Sequence, residues 1–314
     1  MIKIAVVGLG IISEEHLDAI YESNDFQLVA VCDVIKDKAK EAAEKYKTNY
    51  FFDYHEIPKM TDAEAVIINL PHFLHCESTV FFLENGLHVL VEKPMANNTK
   101  EAALMNEAAE KSGKKLAIGH IQRFFKANTK LKEIIDSSEL GKLCMSTELR
   151  TVDYFNDRRP KWFLQKEKSG GGIVINYGAH ALDKLFYLIG ITDVEIHSLI
   201  GNVNNDYDVE GHAQFFVKFK DGPSSAITFS GYSSVGYECI YYFEKGCAKV
   251  TGSSELFINK DGTWEYIDVK EDNKAMHRQL AEFKKYINGE PSLIVDGEYG
   301  YKIIAAIEKV YEEH

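Results

Sequence analysis

A strand-like run, Ile2–Val7, ends on Gly8-Leu9-Gly10, and a helix-like stretch, Glu14–Tyr21, follows directly. The first glycine allows a tight turn and the second lets backbone approach a ligand. The helix start then offers unpaired N–H groups and a partial positive charge. Ser13 stands at the third position of the fingerprint, small enough for close helix–strand packing. The next strand-like run, Gln27–Asp33, ends on an acid at about the distance where such units hold a ribose. Gly8, Gly10, Ile11, Ile12 and Asp33 are therefore candidate contacts for a dinucleotide. A carboxylate at Asp33 repels a 2′-phosphate, so NAD is expected ahead of NADP. Lys36 and Lys38 read as the solvated face of the following helix.

Further apolar runs follow at Ala65–Asn69, Leu87–Val91 and Lys115–Gly119, separated by helix-like segments Lys36–Tyr46, His75–Asn85 and Lys100–Lys111. Continuous apolar strands alternating with helices require a parallel sheet covered on both faces. After residue 120 the pattern changes. A helix (Phe124–Ser137), a strand (Leu143–Asp153) and a helix (Ile175–Ile189) lead into successive strands from Val194 to Ile267. The turns at Asn202–Asp206, Lys220–Ser225 and Asn259–Gly262 fit an antiparallel meander. Helices His277–Asn288 and Glu298–Tyr311 close the chain. At 314 residues the chain exceeds what one core usually organises. The expected fold is α/β plus α+β. Residues 1–120 form a doubly wound Rossmann domain. Residues 121–314 form a substrate and oligomerisation domain, an open, mostly antiparallel sheet with helices, its last helix able to pack back on the first domain. The open face of that sheet predicts a homodimer or homotetramer.

Thirty-six basic residues against 48 acidic ones leave a net charge of −12, and no dense Lys/Arg stripe breaks it. A nucleic-acid partner held through phosphates is therefore not expected. Five cysteines are scattered without metal or redox spacing, so reduced, mostly buried thiols and no metal site are expected. No charged leader with an apolar segment opens the sequence, and no apolar run approaches membrane-spanning length. A cytoplasmic protein without membrane contact is the expectation.

Two further segments carry polar side chains in suggestive places. Glu92-Lys93-Pro94 follows the strand Leu87–Val91, and ligands bind beyond the carboxyl ends of such strands. Gly170 to Gly172 precede a helix bearing Asn176, His180 and Asp183, whose spacings of four and three put them on one helical stripe. Leu182, Leu185, Phe186 and Leu188 bury an adjacent face, so the polar groups also fit a satisfied core histidine with its partners.

Together these segments resemble the Gfo/Idh/MocA family of sugar oxidoreductases nearly end to end. The likeness includes Gly8-Leu9-Gly10 with His16, Leu70-Pro71 with His75, Glu92-Lys93-Pro94, Arg123-Phe124, the glycine run with His180 and Asp183, and the closing helix. The resemblance implies that Lys93 is the catalytic lysine and His180 the general acid/base. Leu70, Pro71, His75 and Glu92 join Lys93 along the cofactor. Arg123, Arg159, Trp162, Asn176, His180 and Asp183 face the substrate. One departure stands out: the family usually has Asp four residues before this histidine, where this chain has Asn176. An amide orients a hydroxyl but cannot take up a proton.

The implied reaction moves a hydride between nicotinamide and a secondary alcohol or ketone of a sugar, sugar derivative or cyclitol. Two other readings stand beside it: a non-catalytic NAD- or sugar-sensing regulator of the same fold, and a dehydrogenase for a non-sugar cyclic alcohol such as a dihydrodiol.

Overall fold

The computed structural model describes residues 1–191, 193–203 and 206–312. Contacts divide them into two compact units, Met1–His120 with Lys274–Ile304, and Ile121–Asn273 with Ala305–His314. The second half of the sequence is thus not one piece. Lys274–Ile304 belongs with the N-terminal unit rather than with the residues that precede it.

In the first unit, strands β1 (Ile2–Val7), β2 (Phe26–Cys32), β3 (Asn49–Phe51), β4 (Ala65–Ile68), β5 (His88–Glu92) and β6 (Leu116–Gly119) pair in parallel in the order β6-β5-β4-β1-β2-β3. Helices α1 (Ser13–Tyr21), α2 (Lys36–Tyr46), α3 (Ile57–Met60), α4 (His75–Glu84) and α5 (Thr99–Ser112) alternate with the strands. Ile4, Ala5, Val6 and all of β4 are buried, as strands covered on both faces must be. Strand order reverses between β1 and β4, whose ends Val7 and Ile68 are register partners. That switch point is where open α/β sheets bind ligands.

Of the later elements, α9 (Ala275–Ile287), β15 (Val295–Asp296) and the start of α10 (Gly297–Tyr311) complete this unit. The two residues of β15 add to the free edge of β6, antiparallel, through Val295↔Ile118 and Asp296↔Ala117. Phe283 of α9 stacks on Phe26 at 6.4 Å. A two-residue strand leaves no alternation to read, so this return of the chain is invisible to periodicity.

The second unit is built on eight strands: β7 (Leu143–Thr151), β8 (Val194–Gly201), β9 (His212–Phe219), β10 (Ser224–Ser230), β11 (Tyr237–Phe243), β12 (Gly246–Thr251), β13 (Glu255–Asn259) and β14 (Trp264–Ile267). Their order is β14-β13-β12-β11-β7-β10-β9-β8. The expected meander is therefore interrupted: β7 inserts between β10 and β11, parallel to the first and antiparallel to the second. Of the turn at Asn202–Asp206, Asn204 and Asn205 lie outside the described residues. Helices α6 (Lys126–Ser137), α7 (Lys166–Ser169) and α8 (Ala179–Ile189) belong here. Ala127, Leu131 and Ile134 of α6 and Leu188 of α8 join Cys239, Tyr241, Val250 and Leu256 in one core cluster. The inward residues alternate with outward Met145, Leu149 and Phe216, which remain exposed.

Five free thiols are present, but only Cys32 and Cys239 are buried; Cys144 is exposed and the other two are intermediate. The expectation of mostly buried thiols is thus corrected. Among the described residues no helix is long and apolar enough to cross a membrane.

Candidate active site

The dinucleotide turn forms where β1 ends. Gly8 adopts φ +86°, and a Cβ there would fall 2.6 Å from the carbonyl oxygen of Asn69, so only glycine fits. A Cβ on Gly10 would meet nothing within 4 Å, which leaves open space on that side of the turn. Ile12 caps α1 without a side-chain hydrogen bond. Ser13 N–H turns back to the Gly10 carbonyl at 3.2 Å, and the positive end of the helix dipole at this turn suits a pyrophosphate. Ser13 secures the turn by donating from Oγ to the Gly10 carbonyl at 2.6 Å.

Asp33 accepts from the backbone N–H of Leu9 at one oxygen and of Ile35 at the other, both at 2.8 Å. The carboxylate therefore ties the glycine turn to the end of β2. Each oxygen keeps a second lone pair for a ribose hydroxyl. Ile11 is 93% exposed and Val34 82%, apolar side chains beside a turn that otherwise presents polar groups. Such a rim suits the flat face of an adenine. The residues present fit a dinucleotide.

The segments after β4 and β5 behave differently from the expectation. His75 is buried, with Nδ1 2.8 Å from the Pro94 carbonyl and Nε2 2.8 Å from the Leu70 carbonyl. Glu92 turns inward over Gly119 and meets His16 Nε2 at 2.8 Å. Burial works against the Glu92 charge, but the His16 hydrogen bond and Lys93 outweigh it and hold the carboxyl below its usual range. Both residues were expected on the cofactor, and here their polar atoms have partners within the protein. Leu70, Pro71 and Lys93 stay half-buried. Lys93 is joined to Pro94 by a cis peptide bond.

In the second unit the helix expected to run unbroken from Ile175 begins as a π turn, Val174–Gly178, before α8. Asn176 lies in that π turn and His180 is the second residue of α8, so the two do not share a regular α-helical stripe. Wide turns of this kind frequently mark functional positions. Asn176 is buried next to Tyr154, whose hydroxyl pKa is raised by burial although the Asn176 amide works the other way. His180 is half-buried.

Asp183 and Arg123 were expected to face substrate. They form an ion pair instead, Arg123 Nη2 donating to Asp183 Oδ1, with Asp183 0% exposed. Each is the other's counter-charge, as a buried carboxylate requires. Arg159 lies with its guanidinium 4.0 Å from the Tyr154 ring and donates from Nε to the Tyr154 carbonyl. Trp162 stacks on Phe163 at 3.7 Å and is half-buried.

The glycine run has a reason that the sequence order hides. The Glu210 carboxylate accepts from the N–H of Gly172 at 2.9 Å, of Val174 at 2.8 Å and from the Tyr311 hydroxyl at 2.8 Å. A Cβ on Gly172 would lie 2.2 Å from the Glu210 carbonyl oxygen. The chain thus fills this helix start with its own carboxylate, leaving no room for an anionic ligand. Burial raises the Glu210 pKa against the hydrogen bonds that favour its charge.

Behind α8 lies a second device absent from the expected site. Lys184, 1% exposed, reaches Glu148 Oε2 at 2.8 Å and Cys239 Sγ at 2.8 Å, and donates to the Tyr237 hydroxyl. Arg150 stands 3.7 Å from the other Glu148 oxygen and stacks on Tyr237 at 3.9 Å and Tyr177 at 5.1 Å. Burial works against the Lys184 charge, yet the Cys239 sulfur and Glu148 carboxylate outweigh it and hold its pKa well above the usual value. Burial also pushes the Cys239 thiol up to about 11. Arg150 thereby links this buried charge cluster to the π turn through Tyr177.

Comparison with known proteins agrees with this construction. Residues 2–120 match the model of an oxidoreductase family with an NAD-binding Rossmann fold, and residues 128–254 match the GFO/IDH/MocA C-terminal domain. The D-glucoside 3-dehydrogenase of Escherichia coli (strain K12) is 27% identical over 99% of this chain and 95% of that protein. A 1-carboxy-3-chloro-3,4-dihydroxycyclohexa-1,5-diene dehydrogenase of Comamonas testosteroni is 31% identical over 74% of this chain and 58% of its own length. An aldose–aldose oxidoreductase from Caulobacter crescentus, solved with glycerol, superimposes with a TM-score of 0.90 at 22% identity, covering 99% of this chain and 96% of that one. With its Rossmann unit, its open sheet and a match to both domain models, the chain belongs to the Gfo/Idh/MocA family of oxidoreductases.

Proposed function

We propose that this oxidoreductase is an NAD-dependent dehydrogenase acting on a secondary alcohol of a sugar, sugar derivative or cyclitol. The observation that carries the reading is the Gly8–Gly10 turn at the β1–β4 switch point with Asp33 fixed beside it. NAD is favoured over NADP because the Asp33 carboxylate, already bonded to two backbone N–H groups, repels a 2′-phosphate. When bound, the dinucleotide supplies the hydride acceptor.

His180 takes the hydroxyl proton, a task suited to imidazole. Lys93 hydrogen-bonds the same oxygen and stabilises the alkoxide charge that develops. Asn176 orients the hydroxyl as an amide and leaves the proton to His180. Arg159 and Trp162 offer a cation and an aromatic plane to a sugar ring.

The test is a screen of glucosides, free sugars and inositols with NAD and with NADP, read as reduced cofactor. Steady reduction of NAD by a polyol is expected, with a clear preference over NADP; preference for NADP would overturn the reading of Asp33. The relative from Comamonas testosteroni, named for a dihydroxycyclohexadiene, supports including cyclic diols as a second substrate class.

We also propose that a second copy of the chain covers the outer face of the eight-stranded sheet. Leu149 (48% exposed), Met145 and Phe216 lie there among Lys218, Lys249, Glu195 and Glu238. A face carrying both signs of charge around apolar residues can satisfy itself across a two-fold axis. Leu149→Glu should shift the sizing-column elution to the monomer, and an unchanged dimer would place the interface elsewhere.

A further inference from the structure

Lys93 sits between two residues that are each held by a buried histidine. Before it, Glu92 ends β5 opposite Gly119 and directs one carboxylate oxygen to His16 of α1 at 2.8 Å. The other Glu92 oxygen accepts the Lys93 backbone N–H at 3.3 Å. After it, the Pro94 carbonyl meets His75 Nδ1 at 2.8 Å. The His75 ring also spans to the Leu70 carbonyl at 2.8 Å, tying the segment after β4 to the segment after β5. His16 and His75 are both buried.

From this geometry we infer that His16 and His75 are positioning residues that immobilise the backbone on either side of Lys93. The inference rests on the proposed role of Lys93. A lysine side chain has four flexible bonds, so its ammonium is placed well only if its root is fixed. His16 acts through Glu92, fixing the root from the strand side. His75 acts through Pro94 from the loop side, and its second contact sets the spacing to Leu70-Pro71. Burial holds the His75 pKa below its usual value against the two carbonyl bonds that favour the charged ring. Bonding both carbonyls takes an N–H on each ring nitrogen, the charged form; the neutral ring donates to one of them.

Substitution separates the two contacts. An Asn side chain places its amide nitrogen near the Nδ1 position, and Gln places it near Nε2. His75→Ala is expected to lower kcat about 10²-fold. His75→Asn, which keeps a donor for Pro94, should restore most of kcat while raising KM for NAD. His75→Gln, which keeps the donor for Leu70, should leave kcat low. In a Lys93→Ala background none of these changes should reduce the residual rate further. Glu92→Ala, which withdraws the opposite brace, should behave in the same way and carries the test if the His75 variants do not fold. Losses that multiply with Lys93→Ala, or equal rescue by Asn and Gln, would overturn the bracing role. Full turnover in Lys93→Ala alone would overturn the assignment of Lys93 together with it.

Discussion

Lys93→Ala is expected to lower kcat by about 10²–10³-fold, the usual loss when one donor to a developing oxyanion is removed. Binding of NAD should change little, because the turn around Gly8 and Asp33 is built without the Lys93 side chain. The two quantities are separable: kcat from steady-state turnover, and NAD affinity from a fluorescence titration. The proposed charge on the substrate oxygen exists mainly in the transition state, so its loss belongs in kcat rather than in KM. A variant with normal turnover would remove Lys93 from the chemistry, and one that no longer binds NAD would make it a cofactor contact instead.

Glu148→Ala should destabilise the fold by about 3–5 kcal/mol, as removing one member of a buried ion pair does. Lys184 is 1% exposed and would keep a buried ammonium whose carboxylate partner at 2.8 Å is gone. Chemical denaturation measures this directly, and a loss below about 1 kcal/mol would mean that water or a rearranged neighbour replaces the carboxylate. Replacing Glu148, Lys184 and Arg150 together by Leu, Met and Met should cost less per charge removed, since all three charges of the buried cluster then leave together. The pH dependence follows in sign. Burial raises the Glu148 pKa, but Lys184 and Arg150 lower it by more, and the folded value ends below the unfolded one. The contribution is therefore complete above the unfolded value, near about 4.3, and is lost as pH falls through the folded one. Glu148→Ala should flatten that acid limb.

Legibility of the sequence varied with how local each cause was. The parallel strands were readable because continuous apolar runs such as Ala65–Ile68 allow little else. Gly8, Gly10 and Asp33 were readable because a short βαβ unit contains the whole logic of the turn. Elements whose reason lies far along the chain were not. The glycines at 170–172 serve Glu210 and Tyr311, neither of which any spacing rule connects to them. Lys184 drew no reading beside Asp183, yet both point into the interior, against β7 and Arg123 respectively, partners that no spacing rule connects to them. His75 was placed on the cofactor by the resemblance alone, and its bridge between the Pro94 and Leu70 carbonyls follows from no local spacing. The π turn at Val174–Gly178 left no mark in residue types, since the same residues also suit an α-helix.

The proposed reaction transfers hydrogen from a carbinol carbon of a sugar or cyclitol to NAD. Its most direct test uses a substrate found active in the screen, deuterated at the carbon that is oxidised, followed by mass spectrometry of the reduced cofactor. One deuterium in each NADH formed and a matching keto product are expected. Tight binding of NAD and of the polyol with no label in the cofactor would contradict it.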